Sequence, residues 1–96
     1  MEMNIRRLVL DVDKAVARPG IPDLAEAINA VPGVEALNIV VMEIDMETVG
    51  MEITIQGEML NYEAIVRAIE NTGAVSHSID EIATGKYLIE SVLRKR

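Results

Sequence analysis

The chain has 96 residues, half of them hydrophobic, and a formal net charge of -7, which allows one compact domain but not two independent cores. The negative charge opposes phosphate backbones, and Tyr62 and Tyr87, the only aromatic residues, make no stacking platform, so nucleic acid is excluded as a partner. Absence of cysteine removes disulfides, thiolate nucleophiles and the Cys-x-x-Cys metal grip. Apolar runs such as residues 39–42 fall far short of the roughly 20 residues that span a bilayer. Residues 1–4 show no signal-peptide pattern, so a soluble cytoplasmic protein without a membrane partner is expected.

In chain order, Leu8, Leu10 and Val12 alternate with Arg7, Val9, Asp11 and Asp13, the period-two pattern of a strand over residues 5–16, ended by Arg18-Pro19-Gly20. Pro22 suits a first helical turn. After it Leu24, Ala27, Ile28 and Val31 recur at helical spacing until Pro32-Gly33 stops them. Residues 34–44 and 49–56 read as a hairpin about Asp45-Met46-Glu47-Thr48. Val40, Met42 and Ile44 would face the core together with Met51, Ile53 and Ile55. A second helix has defined ends: Asn61 caps it, Leu60 and Ile65 stand at the two positions of a hydrophobic staple, and Asn71-Thr72-Gly73 supplies a left-handed stop. Tyr62, Ile65, Ala68 and Ile69 form its buried stripe, and a last strand fits residues 74–82.

The order β-α-β-β-α-β, with right-handed crossovers, predicts an α+β, ferredoxin-like sandwich, also called an α-β plait. It is a four-stranded antiparallel sheet, ordered four, one, three, two, with both helices on one face. The domain spans residues 1–85, and residues 86–96 form a tail, either a short helix or an added strand, docked on the domain or on a neighbour. Its end, Arg94-Lys95-Arg96, can pair with acidic surface. The hydrophobic fraction is high for so small a body, which points to a homo-oligomer. Leu37, Ile39 and Val41, alternating with the expected core face of the second strand, are the predicted contact on the uncovered sheet face.

Asp11, Asp13, Glu43, Asp45, Glu47 and Glu52 fall at the sheet end where strand one finishes, the hairpin turns, and strands three and four begin. The second strand lies two strand spacings, roughly 10 Å, from the first, so one ion cannot bind all six. The expected grouping is Asp11 with Asp13, and Glu43 with Asp45 and Glu47, with Glu52 between them. Either group could give oxygen ligands to Ca²⁺ or Mg²⁺, completed by a subunit contact. The plainer reading is a set of solvated charges that guard a sheet edge against aggregation. Asp45-x-Glu47-x-x-Gly50 does not make an EF-hand, because Val49 and Gln56 occupy ligand positions and the flanks are strands.

His77, the only histidine, should start strand four beside Asp11 and Asp13, either as a partly buried structural residue or as a ligand or titrating group. Met42, Met46, Met51 and Met59 read as core filling rather than as a thioether metal site. The loop 17–22 lacks glycine-rich phosphate spacing and reads as a plain connection. Ser76, Ser78 and Ser91 form no recognisable triad, and an enzyme is not expected.

Several stretches carry a resemblance: Arg7-Leu8-Val9-Leu10-Asp11; Gly33-Val34-Glu35 with Asn38-Ile39; Met42-Glu43-Ile44-Asp45; Thr54-Ile55-Gln56-Gly57; Arg67-Ala68-Ile69-Glu70; and His77-Ser78-Ile79-Asp80-Glu81. They resemble the archaeal family of domain of unknown function 211 from Ile5 to Gly85, with the tail after Lys86 outside the match. The resemblance implies a ferredoxin-like fold and oligomeric assembly, and establishes no activity. In architecture alone the chain also resembles heavy-metal-associated and amino-acid-binding regulatory domains. The lack of cysteine disfavours the first. Two functions are expected on these grounds: a non-enzymatic oligomeric module binding a hard cation through its carboxylates, or a small-molecule sensor whose ligand sits at a subunit interface.

Overall fold

A computed structural model describes residues 3–90. The expectations for residues 1–2 and 91–96, including the basic end of the tail, lie outside the described residues. Six elements succeed one another: β1 Ile5–Ala15, α1 Ile21–Asn29, β2 Val34–Ile44, β3 Thr48–Gly57, α2 Tyr62–Asn71 and β4 Val75–Thr84. The strands form one sheet in the order β2-β3-β1-β4, antiparallel at every pairing. This is the ferredoxin-like α+β arrangement.

β1 is an inner strand, paired with β3 on one side and β4 on the other, so its backbone groups are satisfied along both edges and its apolar run is buried. Leu8, Leu10 and Val12 pair with Ile55, Ile53 and Met51. These six residues are the floor of the core and are at most 1 % exposed. The helices supply its roof through Leu24 and Ile28 of α1 and Ile65 and Ile69 of α2, all fully buried. α1 packs over β2, α2 over β4, and the helices touch each other.

The ends of α2 obey local chemistry. Asn61 Oδ1 accepts from the Ala64 amide at 3.0 Å, satisfying one of the first-turn donors that have no helical partner. Leu60 and Ile65, the staple pair, are both in the core. Gly73, at φ +104°, turns the chain into β4 in the left-handed region. α1 has no side-chain cap, and proline in its first turn presets the helical backbone.

The face assignment within β2 is the reverse of the sequence expectation. Leu37, Ile39 and Val41 pair with Ile55, Ile53 and Met51. Directly opposed residues of an antiparallel pair share a face, so these three lie on the helix side. Leu37 and Ile39 pack against the core. β2 is apolar in both phases, and alternation alone could not choose between them. The position of α1 over its first half made the choice.

Of the methionines expected in the core, Met51 is there at 1 % exposure, whereas Met42, Met46 and Met59 are 65 %, 92 % and 48 % exposed. The reason is one of length. Nine helical residues rise about 14 Å, while an eleven-residue strand runs about 36 Å. α1 therefore cannot cover the hairpin end that carries Met42 and Met46. In the tail, residues 86–90 form neither helix nor strand.

Candidate functional site: the helix-free face

The sheet face away from the helices is composed of cross-strand rows. From β1 through β3 to β2 they read Arg7-Gln56-Ala36, Val9-Thr54-Asn38, Asp11-Glu52-Val40 and Asp13-Gly50-Glu43. On the other side of β1 the partners are Ala83 for Arg7, Glu81 for Val9, Ser78 for Asp11 and Val75 for Asp13.

Four of the six predicted carboxylates therefore share one patch. Asp11 stands directly opposite Glu52. Asp13 and Glu43 flank Gly50, and a Cβ at position 50 would lie 3.4 Å from Asp13 Oδ1 and 3.7 Å from Glu43 Cβ. This grouping differs from the expected separation of Asp11 and Asp13 from Glu43, Asp45 and Glu47. The two strand spacings on which that separation rested are bridged because the intervening strand has Gly50 between Asp13 and Glu43, and a bulge between Val41 and Glu43 shifts the register by one residue and puts Glu43 on the helix-free side. Missing side-chain bulk at Gly50 leaves the gap that Asp13 and Glu43 border.

Asp45 and Glu47 remain apart at the hairpin turn. Asp45 Oδ1 accepts from the Met46 amide at 2.8 Å, and the Asp45 amide donates to the Thr48 carbonyl at 2.8 Å. Asp45 thus organises the turn, a common use of Asp. The Glu47 carbonyl accepts from the Val16 amide at 3.1 Å, tying the turn to the end of β1. Among the described residues, no three His, Cys, Asp or Glu side chains converge well enough to hold a metal ion.

His77 occupies a second irregularity, where the β1-β4 register shifts between Asp11-Ser78 and Val12-Ser76. Its Nε2 lies 3.0 Å from Asp13 Oδ2, and both side chains are about half exposed. A surface pair of this kind contributes little to stability, but it fixes the orientation of the Asp13 carboxylate. Beside it lies a cavity of about 280 Å³ lined by Asp13, Lys14, Ala15, Thr48, Gly73, Val75 and His77.

Two basic residues of this region were not singled out by sequence reasoning. Lys14 is 7 % exposed, with Nζ donating to the carbonyls of Ala15 and Val16 at 3.0 and 3.2 Å. Arg7 is 9 % exposed, with Nη1 donating to Glu81 Oε2 and to the Ile89 carbonyl, both at 3.2 Å. Lys14 bonds the carbonyls of the two residues that follow it, whereas the acceptors of Arg7, the Glu81 carboxylate and the Ile89 carbonyl, are brought near only by folding.

A second surface feature adjoins the acidic patch. Along the overhanging part of the hairpin, Val40, Val41, Met42, Ile44 and Met46 are 45, 40, 65, 73 and 92 % exposed. The first four occupy both faces of an edge strand, β2, whose outer backbone groups have no partner strand among the described residues, and Met46 lies in the turn that follows it. No helix among the described residues is long and apolar enough to cross a membrane.

With this geometry in place, comparison with known proteins identifies the family. The model of the family of domain of unknown function 211, described as Uncharacterized ArCR, matches residues 6–96. The chain belongs to that family. An uncharacterized protein of Methanocaldococcus jannaschii, MJ0319, is 42 % identical to it over 89 residues, covering 93 % of this chain and 91 % of the relative. The family match continues through the tail to residue 96, which corrects the expectation that it stops near Lys86.

Proposed function

We propose that this member of the family is a non-enzymatic module that assembles with copies of itself through the hairpin end of β2. The single observation carrying the reading is the group of exposed apolar side chains, Val40, Val41, Met42 and Ile44 on an edge strand and Met46 in the turn after it. Edges are ordinarily protected by lysine, proline or covering elements. β2 has neither lysine nor proline, and its only charges are Glu35 and Glu43. The predicted contact moves accordingly. Leu37 and Ile39 belong to the core, Val41 remains in the contact, and Val40, Met42, Ile44 and Met46 join it.

Light scattering should give the native chain a mass that is a multiple of 10.5 kDa, and the double variant Met42→Lys/Ile44→Lys the mass of one chain. Both side chains are mostly exposed, so the variant keeps its fold. A native monomer at tens of micromolar would remove the proposal.

Cation binding is the second part of the reading, in a narrower form than six carboxylates suggested. Asp13 and Glu43 offer two hard oxygen donors across Gly50, and water or a second copy supplies the remaining ligands of Ca²⁺ or Mg²⁺. Calorimetry should show saturable heat with native protein and none with Glu43→Gln. Absence of heat from the native protein takes the cation out of the reading.

A small-molecule sensor is the other reading, favoured by the cavity beside His77. A ligand at about 100 times its dissociation constant would stabilise the fold by about 2.7 kcal/mol, so a thermal-shift screen of amino acids and nucleotides separates the two. Either way, the proposal is of a cytoplasmic protein that engages neither nucleic acid nor membrane.

A further inference from the structure

β1 carries three basic residues, Arg6, Arg7 and Lys14. Arg6 holds Glu58 and Arg7 holds Glu81, each at 3.2 Å. Lys14 is 7 % exposed, yet among the described residues no carboxylate lies within 4 Å of its ammonium. Its bonds go to the carbonyls of Ala15 and Val16, which leaves one of the three N–H groups of a lysine without a partner among these residues. An ammonium withdrawn from water without an opposite charge is costly, and this one is buried in a chain of net charge -7.

The same side chain lines the cavity of about 280 Å³ at the end of β1. Thr48, opposite Ala15 in the β1-β3 pairing, adds a hydroxyl to the lining, and Val75, opposite Asp13 in the β1-β4 pairing, adds an apolar wall. Gly73 leaves room beside them, since a Cβ there would meet nothing within 4 Å. Asp13 is already engaged, with His77 Nε2 3.0 Å from its Oδ2. Among the described residues, Lys14 is therefore the charged group of the lining that has no side-chain partner.

Charge and size together define a ligand class. A buried ammonium with a spare N–H takes an anionic oxygen in a charge-assisted hydrogen bond. The volume lies just below the roughly 300–1,000 Å³ of pockets for drug-sized ligands, which suits a compound of a few heavy atoms. Ala15 and Val75 offer apolar contact. Asp13 in the same lining disfavours a second negative charge, so dicarboxylates and phosphate esters fit poorly.

We propose that this cavity binds a small monocarboxylate, its carboxylate on the spare N–H of Lys14 and its short aliphatic chain against Ala15, Gly73 and Val75. The proposal rests on the reading of the cavity as a small-molecule site and names what that site takes. None of the lining residues belongs to the apolar surface at the hairpin end of β2. Asp13 is also one of the two donors of the cation reading, so the test is run with divalent cations chelated.

Butyrate, 1-butanol and butylamine share an aliphatic chain and differ in charge. Each is titrated into the isotope-labelled full chain at constant ionic strength. Butyrate should shift the amides of Ala15, Thr48, Gly73 and Val75 saturably, and bind about tenfold or more tightly than the other two, the worth of one charge-assisted hydrogen bond. Lys14→Met, which keeps a long side chain and removes its charge, should lose about the same factor. Val75→Trp, which fills the cavity and leaves Lys14 in place, should abolish the shifts, so the result does not hang on the folding of a single variant. Butanol or butylamine binding as tightly as butyrate would overturn the carboxylate assignment and leave the cavity a ligand site. Butyrate shifts that persist unchanged in folded Lys14→Met or in Val75→Trp would overturn it as well. Silence of the cavity amides toward all three probes would end the proposal, and the thermal-shift screen then decides separately whether the cavity takes any small molecule.

Discussion

Gly57 and Gly73 show how differently one residue type is constrained in this chain. A Cβ at position 57 would collide with the Gly33 carbonyl oxygen, backbone against backbone, where the end of β3 passes the start of β2. Neither side can yield without moving a strand. Gly73 needs its positive φ of +104° to turn out of α2, but a Cβ there meets nothing within 4 Å. Gly73→Ala should therefore cost only the left-handed penalty of about 1–2 kcal/mol, while Gly57→Ala should cost about 3 kcal/mol or more. Urea unfolding of the two variants measures the difference, and equal losses would refute the close-approach argument. Gly73 and the Asn61 cap were legible in the sequence because helix ends are local chemistry. The crossing at Gly57 was not, since Gly33 is distant along the chain and only strand pairing brings it close.

At the scale of the element, β2 is the informative strand. Its first half is covered by α1 and its second half is not, and two register shifts change which residues face the helices. Ile39 packs against the core and Val40, its neighbour, lies on the helix-free face. Ile39→Lys should lose about 2 kcal/mol or more, since it removes apolar packing and places a charge against the core. Val40→Lys should stay within about 0.5 kcal/mol. Both are best measured in the Met42→Lys/Ile44→Lys background, so that assembly does not contribute. The opposite ranking would restore the face assignment expected from alternation.

At the scale of the whole molecule, the sheet has two protected inner strands and two edges. β1 and β3 have partners on both sides, so their amides should exchange with solvent only through opening of the whole domain. β2 amides that point outward have no partner strand among the described residues. If copies associate through this edge, those amides gain protection as concentration rises, while β1 and β3 change little. Hydrogen exchange at two concentrations, with the Met42→Lys/Ile44→Lys chain as reference, reads this directly. Protection of β2 that is independent of concentration in both chains would argue against assembly there. The acidic patch belongs to the same scale, because it draws Asp11 and Asp13, Glu52, and Glu43 from three strands.

The sequence by itself determined the element order, the ferredoxin-like fold, the ends of α2 and the apolar floor formed by β1 and β3. Each of these rests on spacing along the chain: period two in strands, helical recurrence, capping residues beside the turns they cap. It also placed the carboxylates at one end of the sheet, because strand order is set by the order of elements and the handedness of crossovers. Only the tertiary structure decided which face Leu37, Ile39 and Val41 occupy, how the carboxylates group, and how far the hairpin overhangs its helix. Those depend on the bulge after Val41, the missing side chain at Gly50 and the length of α1 against β2. A one-residue slip in register exchanges the two faces of a strand, and an apolar strand such as β2 carries no alternation strong enough to reveal the slip.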